Sequence, residues 1–417
     1  MAALARALRH RNFRLFFTGQ SISLIGTWLT RFAMAWMALK LSDSGWQVGL
    51  VAFCGQAPSC VLSPLAGVLV DRWDRQRVIV VTQVLAMLQS AALAVFAFTD
   101  WMTVWDLMYL GAAQAVINAF DMPARQSFMR QMVDDRADLP NAIALNSSMV
   151  NGARLIGPTV AALLVAAFGE GWCFAIDAAS YVAVIISLLA IHVVPRPLPK
   201  STGDVWGEMR DGWRYVANAP LARAVLLAFS ATAVLAGSYS NTLLPLLDRQ
   251  VLAGGEGTLG ILMSAGGLGA LTGALYLASR STVVGLGGVI GKCALGLAAS
   301  LVLLALARSV YVATPLVYVL GLCMMIQMAS TNTILQTVVD TDKLGRVMSL
   351  YGVAFFGGAP VGALLEGSLA SIGGVPVAFA VAGALGLASG VAFWRALPKL
   401  RAQSRPLYVR LGLINED

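Results

Sequence analysis

Long apolar segments recur along the whole chain and are separated by short polar breaks. Each segment has roughly 20 or more residues, enough for a helix to cross about 30 Å of hydrocarbon. Because only helices satisfy every backbone group in lipid over such lengths, each segment predicts a membrane-spanning helix. We count twelve segments, which cover residues 13–39, 46–70, 76–99, 103–128, 141–167, 172–193, 221–247, 257–279, 284–307, 310–336, 344–371 and 374–397.

A polar stretch at residues 194–220 divides the predicted helices into two groups of six. Within it, Val205 to Val216 predicts a short amphipathic helix on the membrane surface. GARLIGPTVAALL in the fifth segment is similar to GVAFFGGAPVGALLEG in the eleventh, which indicates an internal repeat. We therefore expect an all-α polytopic membrane protein with two pseudo-symmetric six-helix bundles. The expected domains are a bundle of 1–195, a cytoplasmic linker of 196–217, a bundle of 218–400 and a cytoplasmic tail of 401–417.

Composition supports a membrane protein and explains the basic charge. Hydrophobic residues make up 58% of the chain and charged residues 12%, whereas soluble proteins have about 45–50% and 25%. The net charge of +8 could indicate nucleic-acid binding. If both termini are cytoplasmic, however, most lysines and arginines fall on that side, and only Lys40, Arg249 and Arg308 fall on the other. The positive-inside rule therefore accounts for the charge, and no nucleic-acid partner is expected.

The chain has few residues suited to metal binding or catalysis. His10 and His192 are its only histidines, so no metal site is expected. The five cysteines lie within apolar segments without a CxxC pair, as buried apolar residues do. GLGGVIGKC at 285–293 lacks the first glycine and the hydroxyl residue of a phosphate-binding loop. Composition leaves a channel or receptor open, but the repeat favours a carrier.

The turn between the second and third segments concentrates charge in the sequence GVLVDRWDRQRV, residues 67–78. We expect Gly67 to allow close approach of a neighbouring helix and Asp71 to face the positive end of a helix. Arg72 and Arg75 can reach carboxylates or lipid phosphates. A solvated basic turn would explain these arginines, although it would not explain the two acids.

The pattern G-x-L-x-D-R-x-x-R-x-R resembles the signature loop of the major facilitator superfamily, which usually has glycine where this chain has Asp74. Residues 118–158 and 345–367 are similar to a bacterial exporter branch that includes the enterobactin exporter, Tap-type multidrug pumps and macrolide efflux proteins. The resemblance implies a secondary active transporter of the bacterial inner membrane. It would export an amphipathic drug, siderophore or secondary metabolite by alternating access in exchange for protons, as a monomer without a cofactor. The alternatives are a lipid or lysolipid transporter of the same fold and a polytopic membrane enzyme.

The resemblance also implies roles for several residues. An acid at the inner end of helix four pairs with the signature-loop arginine in this superfamily, so Asp121 would form a gate with Arg75, joined by Arg125. The alternative is a helix-end acid near the lipid headgroups. The fifth segment resembles the antiporter motif of exporters. The residues that match this motif are Gly152, Arg154, Gly157 and Pro158.

Buried polar residues supply the remaining candidates. Arg154 lies near the bilayer midplane, where a charge costs about 2.5–3.5 kcal/mol, so it should face a cavity or a partner. Arg31 and Asp177 have matching depths and predict an ion pair. Asp121 and Glu366 are the candidate proton carriers, because burial favours a protonated carboxyl group. Polar residues of helices that line the family's cavity are candidates for substrate contact or for helix-to-helix hydrogen bonds: Gln114, Asn118, Asn241, Gln327 and Asn332.

Overall fold

The computed structural model describes most of the chain as helices joined by short turns, and the described part contains no strand. Asp71, the first part of the predicted linker and the end of the predicted tail lie outside the described residues. The described residues are 6–42, 44–70, 72–129, 131–133, 135, 138–192, 205–280, 282–340 and 343–410.

The chain forms two compact units. Unit 1 is drawn from Met1–Asp43, Leu50–Thr202 and Gly254–Ser264. Its helices are α1 (Arg11–Leu41), α3 (Ala57–Val70), α4 (Arg75–Phe98), α5 (Val104–Met129), α6 (Leu139–Phe168) and α7 (Glu170–Leu189), with the end of α2 (Gly45–Cys54) and the start of α11 (Glu256–Ala278). Phe13, Phe16, Ile79, Phe128 and Leu188 form part of its apolar core.

Unit 2 is drawn from Ser44–Gly49, Gly203–Ala253 and Ala265–Asp417. Its helices are α8 (Val205–Asn218), α9 (Pro220–Ala236), α10 (Leu243–Leu247), α12 (Leu286–Leu306), α13 (Val310–Val338), α14 (Leu344–Gly373) and α15 (Val375–Arg410), with the start of α2 and the end of α11. Val225, Ile290, Leu335, Val347 and Phe393 form part of its core.

Nine helices in the described part of the chain are long and apolar enough to span a membrane. Two predicted spans are each divided into two helices. Residues 46–70 break at Gly55 and Gln56, between α2 and α3, and residues 221–247 break at 237–242, between α9 and α10. A third predicted span, 103–128, is the single helix α5. Its polar side chains make it less apolar than the nine helices counted above. The all-helical membrane fold is confirmed, whereas the number of twelve spans stays a prediction.

The internal repeat has a structural counterpart. Helices α6 and α14 both have 30 residues and an internal proline, Pro158 and Pro360 respectively. Each ends at a glycine with a left-handed backbone, Gly169 with φ 87° and Gly374 with φ 82°. Glycine adopts such angles without steric cost. In both repeats the backbone therefore turns directly into the next helix at equivalent points.

The predicted amphipathic helix exists as α8 and packs against α9 and α14. Val216 is buried in the core of unit 2, and Asp211 forms an ion pair of 3.1 Å with Arg346 on α14. Tyr215 also donates a hydrogen bond of 3.2 Å to Asp340. Both apolar burial and polar contacts therefore hold this helix on unit 2.

Candidate functional site

The charged turn after α3 continues directly into α4. Asp74 is the N-cap of this helix, because its side chain accepts a hydrogen bond of 3.0 Å from the backbone N–H of Arg77. An acid at this position satisfies an otherwise unpaired N–H group, and its negative charge interacts favourably with the positive N-terminal end of the helix dipole. The residue that departs from the family pattern therefore starts the helix. Arg72 is exposed, whereas Arg75 is half-buried.

The structure does not support close helix packing at Gly67. No described atom lies within 4 Å of the position that a Cβ would occupy there. The same is true of Gly152 in the antiporter-like segment. The glycine that does allow close approach is Gly157, where a Cβ would clash with Trp28 of α1. The difference arises because close packing depends on which side of the helix meets a neighbour, and sequence spacing does not give that direction.

Asp121 lies at the centre of a polar cluster between α4 and α5. Its Oδ1 accepts hydrogen bonds from Thr82 at 2.8 Å and from Gln83 at 2.9 Å. Its Oδ2 lies 2.5 Å from the guanidinium of Arg125, one helical turn along α5. Asp121 is only 7% exposed. The described partners of this acid thus include Arg125, one turn along the same helix, but not Arg75.

Asp177 lies at a second buried polar cluster, where α1, α4 and α7 meet. Its Oδ2 accepts hydrogen bonds of 2.8 Å from both Thr30 and Ser90. The other carboxylate oxygen faces Gly26, where a Cβ would lie 2.6 Å from it. Neutral hydroxyl groups therefore hold this carboxylate in place, and it is 1% exposed.

The predicted ion pair between Arg31 and Asp177 is not formed in the described structure. Arg31 instead lies over the ring of Trp28, with its guanidinium carbon 5.0 Å from the ring centroid. Arg31 is exposed, whereas Asp177 is buried. Depth along the helices limits which residues could meet, but Trp28 and the hydroxyl groups of Thr30 and Ser90 are the described contacts of these two side chains.

Glu366 on α14 is a deeply buried acid within a membrane-spanning helix. It is 2% exposed, and neither carboxyl oxygen has a described hydrogen-bond partner. Gly362 and Gly358 lie four and eight residues before it, respectively, and therefore share its helix face. Those glycines pack directly on α9 at Ala233 and Val234. Glu366 thus lies one helical turn after Gly362, on the side of α14 that contacts α9. Helix α10 also contacts α14.

The residues predicted to contact substrate have different environments. Gln114 donates a hydrogen bond of 3.2 Å to Asn118 one turn along α5, and both side chains are half-buried. Asn241 lies in the break between α9 and α10. Asn332 accepts a hydrogen bond from Gln336, one turn along α13.

Gln327 bridges two helices of unit 2. It is fully buried, donates to the carbonyl of Ala228 at 3.3 Å and accepts from Thr232 at 3.1 Å. This geometry corresponds to the alternative role, a hydrogen bond between helices.

We expect Gln327→Leu to lower thermal stability modestly and to leave export unchanged. The leucine keeps the volume, and the Thr232 hydroxyl retains its other acceptor, the carbonyl of Ala228 at 3.1 Å. Hydrogen bonds between membrane helices contribute on average about 0.6 kcal/mol. Thermal unfolding in detergent and transport in liposomes measure the two quantities. A changed substrate preference with unchanged stability would instead place Gln327 at the substrate.

Sequence reasoning did not identify the partners of the two buried acids. Thr82, Gln83, Thr30 and Ser90 are small or neutral residues inside apolar segments. The only indication of their role was that a polar side chain within an apolar segment needs a hydrogen-bond partner inside the protein, because lipid offers none. Trp28 gave no such signal, because aromatic residues are common throughout the segments.

A groove of about 500 Å³ lies beside the charged turn on unit 1. Trp73 and Phe120 stack at one end with ring centroids 6.4 Å apart, and Arg77 lies at its edge. Val81 and Leu85 line the rest and are exposed. The groove therefore presents an apolar surface beside the charged turn.

Comparison with known proteins agrees with this architecture. Residues 2–408 match the family described as transmembrane secretion effector, within the major facilitator superfamily. The enterobactin exporter EntS of Escherichia coli O1:K1 / APEC is 25% identical over 393 residues, which cover 94% of this chain and 93% of that protein. Macrolide efflux protein A of Streptococcus pyogenes is 23% identical over 377 residues, with coverage of 87% and 91%.

A solved structure shows the same fold. The nucleoside transporter NupG superposes with a TM-score of 0.67 at 14% identity, over 94% of this chain and 99% of that chain. The family match spans nearly the whole chain, and both relatives are efflux proteins by name. These findings identify a multi-pass membrane transporter and not an enzyme. The chain therefore belongs to the transmembrane secretion effector family of major facilitator efflux transporters.

Proposed function

We propose that this transporter exports an amphipathic small molecule in exchange for protons, by alternating access. The relatives support export, since one is an enterobactin exporter and another a macrolide efflux protein. The proposal places the protein in the bacterial cytoplasmic membrane as a functional monomer with both termini in the cytoplasm. Its energy source is the proton gradient, and it requires no bound cofactor.

The observation that carries proton coupling is the environment of Glu366. An ionised carboxylate there would have no described counter-charge or hydrogen-bond donor, so burial favours the neutral, protonated acid. Asp121 differs, because Thr82, Gln83 and Arg125 all stabilise its charge. Of the two candidate proton carriers, Glu366 is therefore the better one, and Asp121 serves the ion pair.

A route for the proton is offered by the break between α9 and α10. Residues 237–242 leave the helix within a predicted span, and Ser238 and Thr242 are both fully buried there. Their hydroxyl groups lie 3.1 Å apart. Irregular backbone at membrane depth is stable only where protein or water satisfies it. We propose that opening of this segment connects Glu366 to water.

The test uses purified protein in liposomes that contain a pH-sensitive dye. Drugs, siderophores and lysolipids are loaded in turn, and the pH inside is followed with an acidic exterior. We expect an exported compound to accelerate proton entry, and collapse of the gradient to stop its export. A response to lysolipids alone would favour the lipid-transporter alternative. Export that is independent of the gradient would contradict proton coupling and leave the assignment to an efflux family intact.

A further inference from the structure

Two arginines of unit 1 lie in membrane-spanning helices without a described acid at ion-pair distance. Arg31 on α1 is exposed, and Arg154 on α6 is half-buried. Within the described part of the chain, neither forms a salt bridge or a hydrogen bond to a carboxylate. The antiporter-like motif accounts for the position of Arg154 along the chain but not for its lack of a partner.

Packing between α1 and α6 places these two arginines within one helical turn of a single contact. Gly157 contacts Trp28 so closely that no Cβ would fit. Arg31 lies three residues after Trp28, and Arg154 three residues before Gly157, so each shares a helix face with that contact.

The two helices run in the same direction, because His10 at the start of α1 contacts Asp138 at the start of α6. Arg31 therefore lies about 4.5 Å beyond the contact and Arg154 about 4.5 Å before it. The guanidinium of Arg31 turns back over the Trp28 ring, which shortens this separation.

The nearest acid does not neutralise Arg31. Asp177 forms no ion pair with Arg31 in the described part of the chain, and hydroxyl groups bind it instead. One oxygen of Asp177 is taken by Thr30 and Ser90, and the other faces Gly26. Within the described residues, the two guanidinium groups therefore carry like charges without a carboxylate at ion-pair distance.

An unpaired guanidinium in hydrocarbon costs at least about 2.5–3.5 kcal/mol, so an exposed arginine at this depth should contact water or a ligand. We propose that Arg31 and Arg154 bind the anionic head group of the transported molecule, a carboxylate or a similar oxyanion joined to an apolar body. The proposal depends on the proposed export function only because it identifies this ligand with the exported substrate.

The chemistry of the cluster fits such a ligand. Guanidinium groups donate two parallel hydrogen bonds to a carboxylate, and these are stronger than hydrogen bonds between neutral groups. A bound anion also removes the repulsion between the two arginines. Trp28, which is half-buried beneath Arg31, offers an aromatic surface for the adjoining apolar body.

Binding to the full-length protein in neutral detergent tests this proposal without any transport. The probes are 11-(dansylamino)undecanoate, its carboxamide and the matching trimethylammonium compound, and dansyl emission reports binding. We expect the carboxylate to bind about tenfold more tightly than the carboxamide, and the ammonium compound to bind most weakly. Arg31→Gln and Arg154→Gln should each lower carboxylate affinity about tenfold and leave carboxamide affinity unchanged. Lys292→Gln is the matched control, because Lys292 is also exposed on a membrane-spanning helix, and it should change neither affinity.

Several outcomes would overturn the proposal. One is equal affinity of the wild-type protein for the three probes. This result would contradict the proposal even if the glutamine variants do not fold. Another is undiminished carboxylate binding by both glutamine variants. Displacement of the probe by phosphatidylglycerol at the same concentration as by decanoate would assign the arginines to lipid. If binding behaves as expected but liposomes show no proton-linked export, only the proposed coupling fails. Proton-linked export of a compound that needs neither arginine would contradict this inference alone.

Discussion

Replacing Glu366 with glutamine is expected to abolish export driven by a pH gradient while the protein still folds and binds substrate. Glutamine has nearly the same shape but no titratable proton. The carboxyl group has no described hydrogen bond to lose, and it is already buried at 2% exposure. Stability should therefore change little. Liposomes with and without an imposed gradient measure the driven flux, and exchange of labelled substrate at equal pH measures the retained transport.

Two further variants sharpen this experiment. Glu366→Asp keeps the titratable group and should restore part of the driven flux. Glu256→Gln removes an acid from the first turn of α11, outside the proposed proton route, and should behave as wild type. Driven export by Glu366→Gln at the wild-type rate would show that this acid carries no proton.

Replacing Asp121 with alanine is expected to destabilise the protein by about 3–5 kcal/mol, because it leaves the guanidinium of Arg125 without its charged partner. The Thr82 and Gln83 donors lose the same acceptor. Thermal unfolding in detergent measures the loss as a lower unfolding temperature. Adding Arg125→Met should recover much of it, because the double variant no longer contains an unpaired buried charge.

The exposed acid Asp74 provides a comparison for Asp121. Asp74→Ala removes only a helix cap and should cost about 1 kcal/mol. For Asp121→Asn, a loss of proton-driven export without a change in unfolding temperature would be the opposite of our expectation. It would make Asp121, and not Glu366, the proton carrier.

The positions of the helices were largely predictable, and their interruptions were less so. Apolar length alone located α1, α6 and α14 to within a few residues, because lipid requires every backbone group in such a segment to be satisfied internally. The break at Gly55 interrupts an apolar run that has the length of one span. Glycine weakens a helix but does not by itself determine where the helix breaks, because packing against neighbours decides whether the break is stable.

The candidate site was predictable as a set of residues but not as a set of pairs. Asp121 and Arg125 lie four residues apart, so their contact follows from helix geometry. The pairs Asp121–Arg75 and Arg31–Asp177 required knowledge of how separate helices are rotated, and neither is formed in the described structure. Matching depth limits which residues could meet, but the hydrogen-bond distance of about 3 Å also requires the correct direction.

The sequence by itself determined that this protein lies in a membrane and that it is helical. These properties follow from hydrophobic burial, which depends on composition along the chain and has no direction. Only the tertiary structure decided which polar groups are satisfied. Hydroxyl groups from two helices hold Asp177, whereas the carboxyl group of Glu366 has no hydrogen-bond partner among the described residues. Hydrogen bonds and ion pairs are short and directional, so they are fixed only when the helices pack against each other.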